Sequence, residues 1–257
     1  MDKESISSQT PATPTAPRSR VSSKIASGLA AVNLMVAGIT GCATDDMQPV
    51  STADAGSSAG TDVDLNALQS EVPWGKVVWD GYGKVGWNPK LQELVMIPNA
   101  PVGPSEEHSA LVVSNQVFKQ PFRMSFTMNT MAQLRTGAEP NPWETGWAVL
   151  GYKDDGKFKY VTLKTNGLEI GESLLNDAQV FPYTAPFSPG IYPIGADYHQ
   201  VVEVRDNIIS IMVNGEKIKE YMMFTPGSAD TLKADGRVGF YSEDAAVKVS
   251  NIVLEQL

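Results

Sequence analysis

From residue 122 to 130 the chain alternates without a break. Phe122, Met124, Phe126 and Met128 are apolar, and Arg123, Ser125, Thr127 and Asn129 between them are polar. A period of two sends successive side chains to opposite faces of a strand, so one face of this segment is expected to meet a core. Residues 147–152 and 158–164 read as a second and third strand. The turn-forming run Lys153-Asp154-Asp155-Gly156-Lys157 joins them as a hairpin. Thr165-Asn166-Gly167 then turns the chain into residues 168–171. Residues 199–205, 208–213 and 217–221 form a meander through Asp206-Asn207 and Asn214-Gly215, and Asn-Gly is a strong hairpin signal. Residues 237–241 and 247–254 complete the pattern. Short strands between turn signals, with no sustained helical period and no internal repeat, predict an all-β antiparallel sandwich of the jelly-roll type.

The first seventy residues follow different rules. Residues 25–39 are apolar, follow Arg18, Arg20 and Lys24, and end in Ile39-Thr40-Gly41-Cys42. A basic stretch, an apolar stretch and a small-residue cleavage site have the layout of a secretory signal. The run is shorter than the ~20 apolar residues of a spanning helix and is interrupted by Asn33. Its ending resembles the lipobox of bacterial lipoproteins, which implies cleavage before Cys42 and acyl chains, palmitate among them, on the new N-terminus. Residues 1–17 read as a disordered preface or a misplaced start. Residues 43–70 are rich in Ser, Ala, Gly and Asp and poor in aromatics, the composition of a flexible tether. The expected division is 1–41 for the n-region and signal peptide, 42–71 for the acylated Cys and linker, and 72–257 for the sandwich. The resemblance places the protein in the cell envelope and, if the cell is Gram-negative, at its outer membrane, because Ala43 and not Asp follows Cys42.

Charge narrows the partners. The net charge of −9 becomes about −11 once the leader's four basic and two acidic residues are removed. An acidic surface argues against nucleic acid or anionic lipid, which call for clustered Lys and Arg. Membrane attachment then rests on the acyl groups. With Cys42 as the only cysteine, the domain has no disulfide and depends on its hydrophobic core. Two histidines and no other cysteine argue against a zinc site.

Two stretches carry a family likeness. Tyr198-His199-Gln200-Val201-Val202-Glu203-Val204-Arg205 with Ile211-Met212-Val213-Asn214-Gly215-Glu216-Lys217 resembles the W-H-x-V-x-V…V-D-G hairpins of concanavalin A-like lectin/glucanase jelly rolls. Gly236-Arg237-Val238-Gly239-Phe240-Tyr241, followed by residues 246–252, is similar to their G-x-V-G-F-Y…V-x-F-D-N-I ending. The stretches are especially similar to laminin-G-like and to family-16-glycosidase-like, 3-keto-disaccharide hydrolase-related, bacterial domains. Tyr198 stands for the usual Trp and Asn214 for the usual Asp. These motifs are mostly structural, so they imply the fold more than an activity.

The densest polar and aromatic cluster supplies the candidate site: Gln133, Arg135, Trp143, Glu144, Trp147, Tyr160, Lys164 and Glu169. Indole faces can stack on sugar rings while Arg, Glu and Lys bond hydroxyls. Alternation puts Trp143, Thr145 and Trp147 on one face and Glu144 on the other. It aligns Phe158, Tyr160, Thr162 and Lys164, and the lysine suggests that this row is open to solvent and ligand. In the competing view the tryptophans are core and Glu144 pairs structurally with Arg135. The Glu-x-Asp-x-Glu strand of family-16 glucanases is absent, and Glu169 and Glu172 should face opposite ways. An alginate-lyase-like set could draw on Arg135, Gln133, Tyr160 and His108 or His199, although His199 reads as structural and His108 as a loop residue. Because jelly rolls of this kind can hold calcium, Asp80, Glu243 and Asp244 are its candidate donors. The expected function is carbohydrate binding by an anchored lipoprotein. Glycan cleavage by a hydrolase or lyase, and a structural role contacting protein, remain alternatives.

Overall fold

The computed structural model describes residues 63–174, 179–185 and 190–257. Cys42, the signal segment and most of the expected linker lie outside the described residues. The strands are β1 (Gly75–Trp79), β2 (Lys84–Asn88), β3 (Glu93–Ile97), β4 (Ser109–Ser114), β5 (Phe122–Gln133), β6 (Gly146–Tyr152) and β7 (Phe158–Lys164). They continue with β8 (Gly167–Ser173), β9 (Gln179–Thr184), β10 (Tyr198–Arg205), β11 (Ile208–Val213), β12 (Glu216–Met222), β13 (Arg237–Glu243) and β14 (Ala245–Gln256). Two antiparallel sheets of seven strands result. Sheet I runs β1-β4-β13-β6-β7-β8-β9 and sheet II runs β12-β11-β10-β5-β14-β3-β2. The fold is an all-β jelly-roll sandwich, as the periodicity predicts. Among the described residues no helix is long and apolar enough to cross a membrane.

The period-two segment in β5 forms the middle of the core. Phe122, Met124, Phe126 and Met128 are buried between the sheets, where they meet Ala148 and Leu150 of β6, Val161 of β7 and Phe240 of β13. The sheets approach closely over Gly146. A Cβ at that position would lie 2.5 Å from Met128 Sδ and 2.8 Å from Val247 Cγ1, inside any normal contact. The β10–β11 and β11–β12 hairpins turn through Asp206-Asn207 and Asn214-Gly215, all with positive φ, the two-residue geometry whose twist matches the strands. The chain joins sheet II just ahead of the expected boundary: Gln69 exchanges backbone hydrogen bonds of 2.9 and 2.8 Å with Trp87.

One end of the interior is closed by charge. Lys159 and Glu172 share the inward register with Leu150, and both are fully buried. Lys159 Nζ donates to Glu172 Oε1 at 2.5 Å and to Asp230 Oδ1 at 2.6 Å. Tyr221 of β12 donates to Asp230 at 2.6 Å, and the backbone N–H groups of Thr231 and Leu232 donate to Glu172. Burial alone would raise the Asp230 pKa, but its bonds from Lys159 and Tyr221 hold it below the usual value. A buried ion pair offsets its desolvation only when its other lone pairs are also bonded, as they are here. The network therefore ties the loop after β12 to both sheets.

Candidate functional site

The outer face of an antiparallel sheet ordinarily carries polar side chains into water. Sheet I departs from this: β6 and β7 are buried along their whole length. Their inner side chains belong to the main core. Their outer ones, Trp147, Val149, Phe158 and Tyr160, join Leu111, Val113 and Tyr152 in a second apolar layer. Trp79, Trp143 and Tyr241 pack against this layer and are half-buried. Register builds it: Leu111, Tyr241, Trp147, Thr162 and Glu169 lie side by side across β4, β13, β6, β7 and β8. Trp147 stacks on Tyr160 at 4.2 Å between ring centroids and 28° between planes, and it leans on Tyr241 at 4.7 Å. Gly171 makes room for this stack, since a Cβ there would run into the Tyr160 ring.

Four of the rings that carry a polar tip, Trp79, Trp147, Tyr160 and Tyr241, have a hydrogen-bond partner for it. Tyr160 donates to Glu169 Oε1 at 3.0 Å, and Lys164 donates to Glu169 Oε2 at 2.5 Å. Tyr241 donates to Glu243 Oε2 at 2.8 Å. Trp79 Nε1 donates to Ser109 Oγ at 3.2 Å and Trp147 Nε1 to the Trp143 carbonyl at 3.0 Å. The Thr145 and Thr162 hydroxyls are 2.9 Å apart. Burial, then the neighbouring carboxylate, pushes the Tyr160 and Tyr241 hydroxyls well above their ordinary pKa. Burial and the charge of Glu107 raise Glu243 to about 8, so its carboxyl is protonated at neutral pH.

Of the residues singled out in the sequence, the fold gathers Trp147, Tyr160, Lys164 and Glu169 on this face, with Trp143 at its rim. Glu169 and Glu172 do point to opposite sides of sheet I. The row from Phe158 to Lys164 faces away from sheet II but is not solvent-open: Tyr160 and Lys164 are 0% and 4% exposed. Ring stacking covers the aromatics, and Glu169 neutralises the lysine that had suggested an open row. Tyr241, Glu243 and Trp79 also belong to the face. Tyr241 was legible only as part of a structural motif, and Trp79 lies in a strand without alternation.

Arg135 and Glu144 do not enter the aromatic layer. Arg135 Nε donates to Glu144 Oε1 and Nη2 to Asp244 Oδ2, both at 2.6 Å, and Nη1 donates to the carbonyls of Gly103 and Glu106. Asn141 also donates to Glu144 Oε1 at 2.7 Å, whereas Glu144 Oε2 has no partner among the described residues. This is the structural pairing of the competing view, extended to a third residue. One guanidinium serves two buried carboxylates, and burial is the main reason Asp244 rises to about 7.

The calcium candidates do not converge. Asp80 is exposed and accepts the Tyr82 N–H at 2.9 Å in its own turn, Glu243 is held by Tyr241, and Asp244 by Arg135 and the His108 N–H. Among the described residues no three His, Cys, Asp or Glu side chains are grouped to hold a metal. The histidines are apart: His108 Nδ1 lies 2.9 Å from the Asn99 carbonyl, and exposed His199 exchanges hydrogen bonds with Asn214 across the β10–β11 hairpin.

A scan against protein-family models finds no match, and a search of curated proteins finds none either. Solved structures do share the fold. The carbohydrate-binding module CBM66 from Bacillus subtilis superposes with a TM-score of 0.51 at 12% identity, over 74% of this chain and 99% of that one. A glycosidic hydrolase (TM-score 0.43, 11% identity, 72% of this chain and 90% of that one) is similar in outline. So is a family 7 alginate lyase (0.42, 11%, 67% and 83%). At such identities the likeness is one of fold.

Proposed function

We propose that this chain is an exported, lipid-anchored protein whose sandwich, residues 72–257, binds carbohydrate on the outer face of sheet I. The observation that carries this is the aromatic layer on the side of the sheet turned away from its partner, with buried Glu169, Lys164 and Glu243 at the ring tips. Aromatic rings with bonded polar tips suit a ligand that is apolar on its ring faces and polar at its edges, as a sugar is. The half-buried Trp79, Trp143 and Tyr241 are the contact surface, and the stacked Trp147 and Tyr160 support it. CBM66, of the same fold, is a carbohydrate-binding module by name.

Cleavage is the weaker alternative. Glu169 and Glu243 sit on β8 and β13 with two strands between them. Three strand spacings amount to about 14 Å, whereas glycosidase carboxyl pairs stand about 5 Å or 6.5–9.5 Å apart. A lyase using tyrosine as base is disfavoured by the raised hydroxyl pKa values.

Native electrophoresis of the full chain through gels containing neutral and acidic polysaccharides tests the proposal. At least one polymer should retard it, and Trp143→Ala should weaken that retention about tenfold with the melting temperature nearly unchanged. Retention by none, or full retention by Trp143→Ala, contradicts carbohydrate binding at this face; new reducing ends or unsaturated uronic products would restore an enzyme. The anchor is tested with Cys42→Ser, which should move the protein from washed membranes to the soluble fraction. A variant that stays with the membranes refutes anchoring through Cys42.

A further inference from the structure

An open groove lies on the opposite side of the molecule. It is a groove of about 690 Å³ across the outer face of sheet II. From the register we infer that it is a second binding site, for a neutral polyhydroxy chain such as an uncharged oligosaccharide, independent of the face on sheet I.

Two strips run across β14, β5, β10, β11 and β12. The first places Glu255, Arg123, Glu203, Ser210 and Glu220 side by side. Arg123 reaches Glu203 Oε2 through Nε at 3.1 Å and Nη2 at 2.8 Å, and Arg205 Nε reaches Glu203 Oε1 at 3.1 Å. Both oxygens of Glu203 are thus engaged by arginines, and those bonds hold its pKa below the ordinary value despite partial burial. Ser210 Oγ lies 3.4 Å from Glu220 Oε1, and Lys217 Nζ lies 2.7 Å from that oxygen. The strip is a line of donors and acceptors already fixed in place, which lowers the ordering cost of binding. The parallel strip presents Val253, Val201 and Met212 with Ser125 among them.

This pairing selects the ligand class. Three basic and four acidic side chains line the groove, so its net charge is close to zero and it offers polyanions no electrostatic gain. The apolar strip is too narrow to bury a hydrophobic peptide face. A hydroxyl-rich chain matches both strips, with C–H groups on the valines and methionine and hydroxyls along the arginine and glutamate line. The side chains are accessible, Arg123 and Glu255 being 41% and 45% exposed.

Isothermal titration of the full chain with cellohexaose, laminarihexaose, mannohexaose and xylohexaose tests the inference, using Arg123→Ala and Val201→Arg for the groove and Trp143→Ala for the other face. Melting curves confirm that each variant is folded. At least one hexasaccharide should bind with a component weakened tenfold or more by both groove substitutions and untouched by Trp143→Ala. Binding sensitive only to Trp143→Ala overturns the groove and leaves the first face standing. Binding sensitive only to the groove variants supports the groove and counts against the first face. Binding by none of the four overturns the groove.

Discussion

Glu243→Gln should make this protein more stable, and by an amount that grows with pH. Glu243 sits 5% exposed on the outer face of sheet I, bonded to Tyr241 and close to the charge of Glu107. Burial lifts its pKa from 4.5 to about 8. Below pH 4.5 the carboxyl is protonated in both folded and unfolded chains and contributes no pH dependence. Between 4.5 and 8 the folded chain holds a proton that the unfolded chain releases, so stability falls as pH rises and levels off above 8. At pH 7 the difference of 2.5 pH units at 1.36 kcal/mol each gives about 3 kcal/mol, approaching about 5 kcal/mol above pH 8. Glutamine keeps an acceptor for Tyr241 but does not titrate. For a domain of this size the gain at pH 7 corresponds to roughly 6–12 °C in melting temperature. Calorimetric melts of both proteins at pH 4, 7 and 8.5 should show nearly equal stability at pH 4 and a widening gap above it. A gap independent of pH, or a glutamine variant less stable at pH 8.5, would show that Glu243 is not held protonated by burial. A costly buried acid is the kind of group retained where a site uses it.

The other buried groups give predictions of opposite sign. Arg135→Met leaves Glu144 and Asp244 without their shared cation and should cost about 3–5 kcal/mol at pH 8; the loss should shrink at pH 5, below the Asp244 pKa of about 7, where that carboxyl is protonated, and an equal loss at both pH values counts against the network. Lys159→Met should destabilise by a similar ~3–5 kcal/mol and speed amide exchange at Thr231 and Leu232; unchanged protection there would separate the loop from the lock. Gly171→Ala pushes a methyl group into the Tyr160 ring, with an expected cost of about 1–3 kcal/mol; near-ultraviolet circular dichroism should lose the signal of the Trp147–Tyr160 stack, and an unaltered spectrum contradicts the packing.

The sequence exposed those strands whose two faces differ in environment. β5, β10 and β11 meet the core on one side only, so their polar and apolar residues alternate and the period is visible. β3 and β4 are buried on both faces and read as continuous apolar runs, which give no period. β1 carries a register shift between Val77 and Trp79 that breaks alternation, and β9 is a proline-containing edge strand. The site was legible in parts for the same reason. β7 showed which residues share a face, but no sequence pattern tells that Tyr241, three strands distant in the chain's order of pairing from β8, would come beside Trp147. Lys164 looked like a mark of solvent because its partner Glu169 sits across a two-residue turn on the neighbouring strand. Arg135 and Glu144 looked chemical because they cluster in sequence, and the third member that makes them structural, Asp244, is 109 positions away from Arg135.

Carbohydrate binding on sheet I is tested most directly by the indole resonances of the five tryptophans during titration with a retained oligosaccharide. Trp74 and Trp87 pack into the core between the sheets and serve as internal references. Trp79, Trp143 and Trp147 belong to the outer layer of sheet I. Saturable shifts of these three indoles, with Trp74 and Trp87 unmoved, are the expected result. Binding that leaves Trp79, Trp143 and Trp147 unshifted would contradict the assignment of this face.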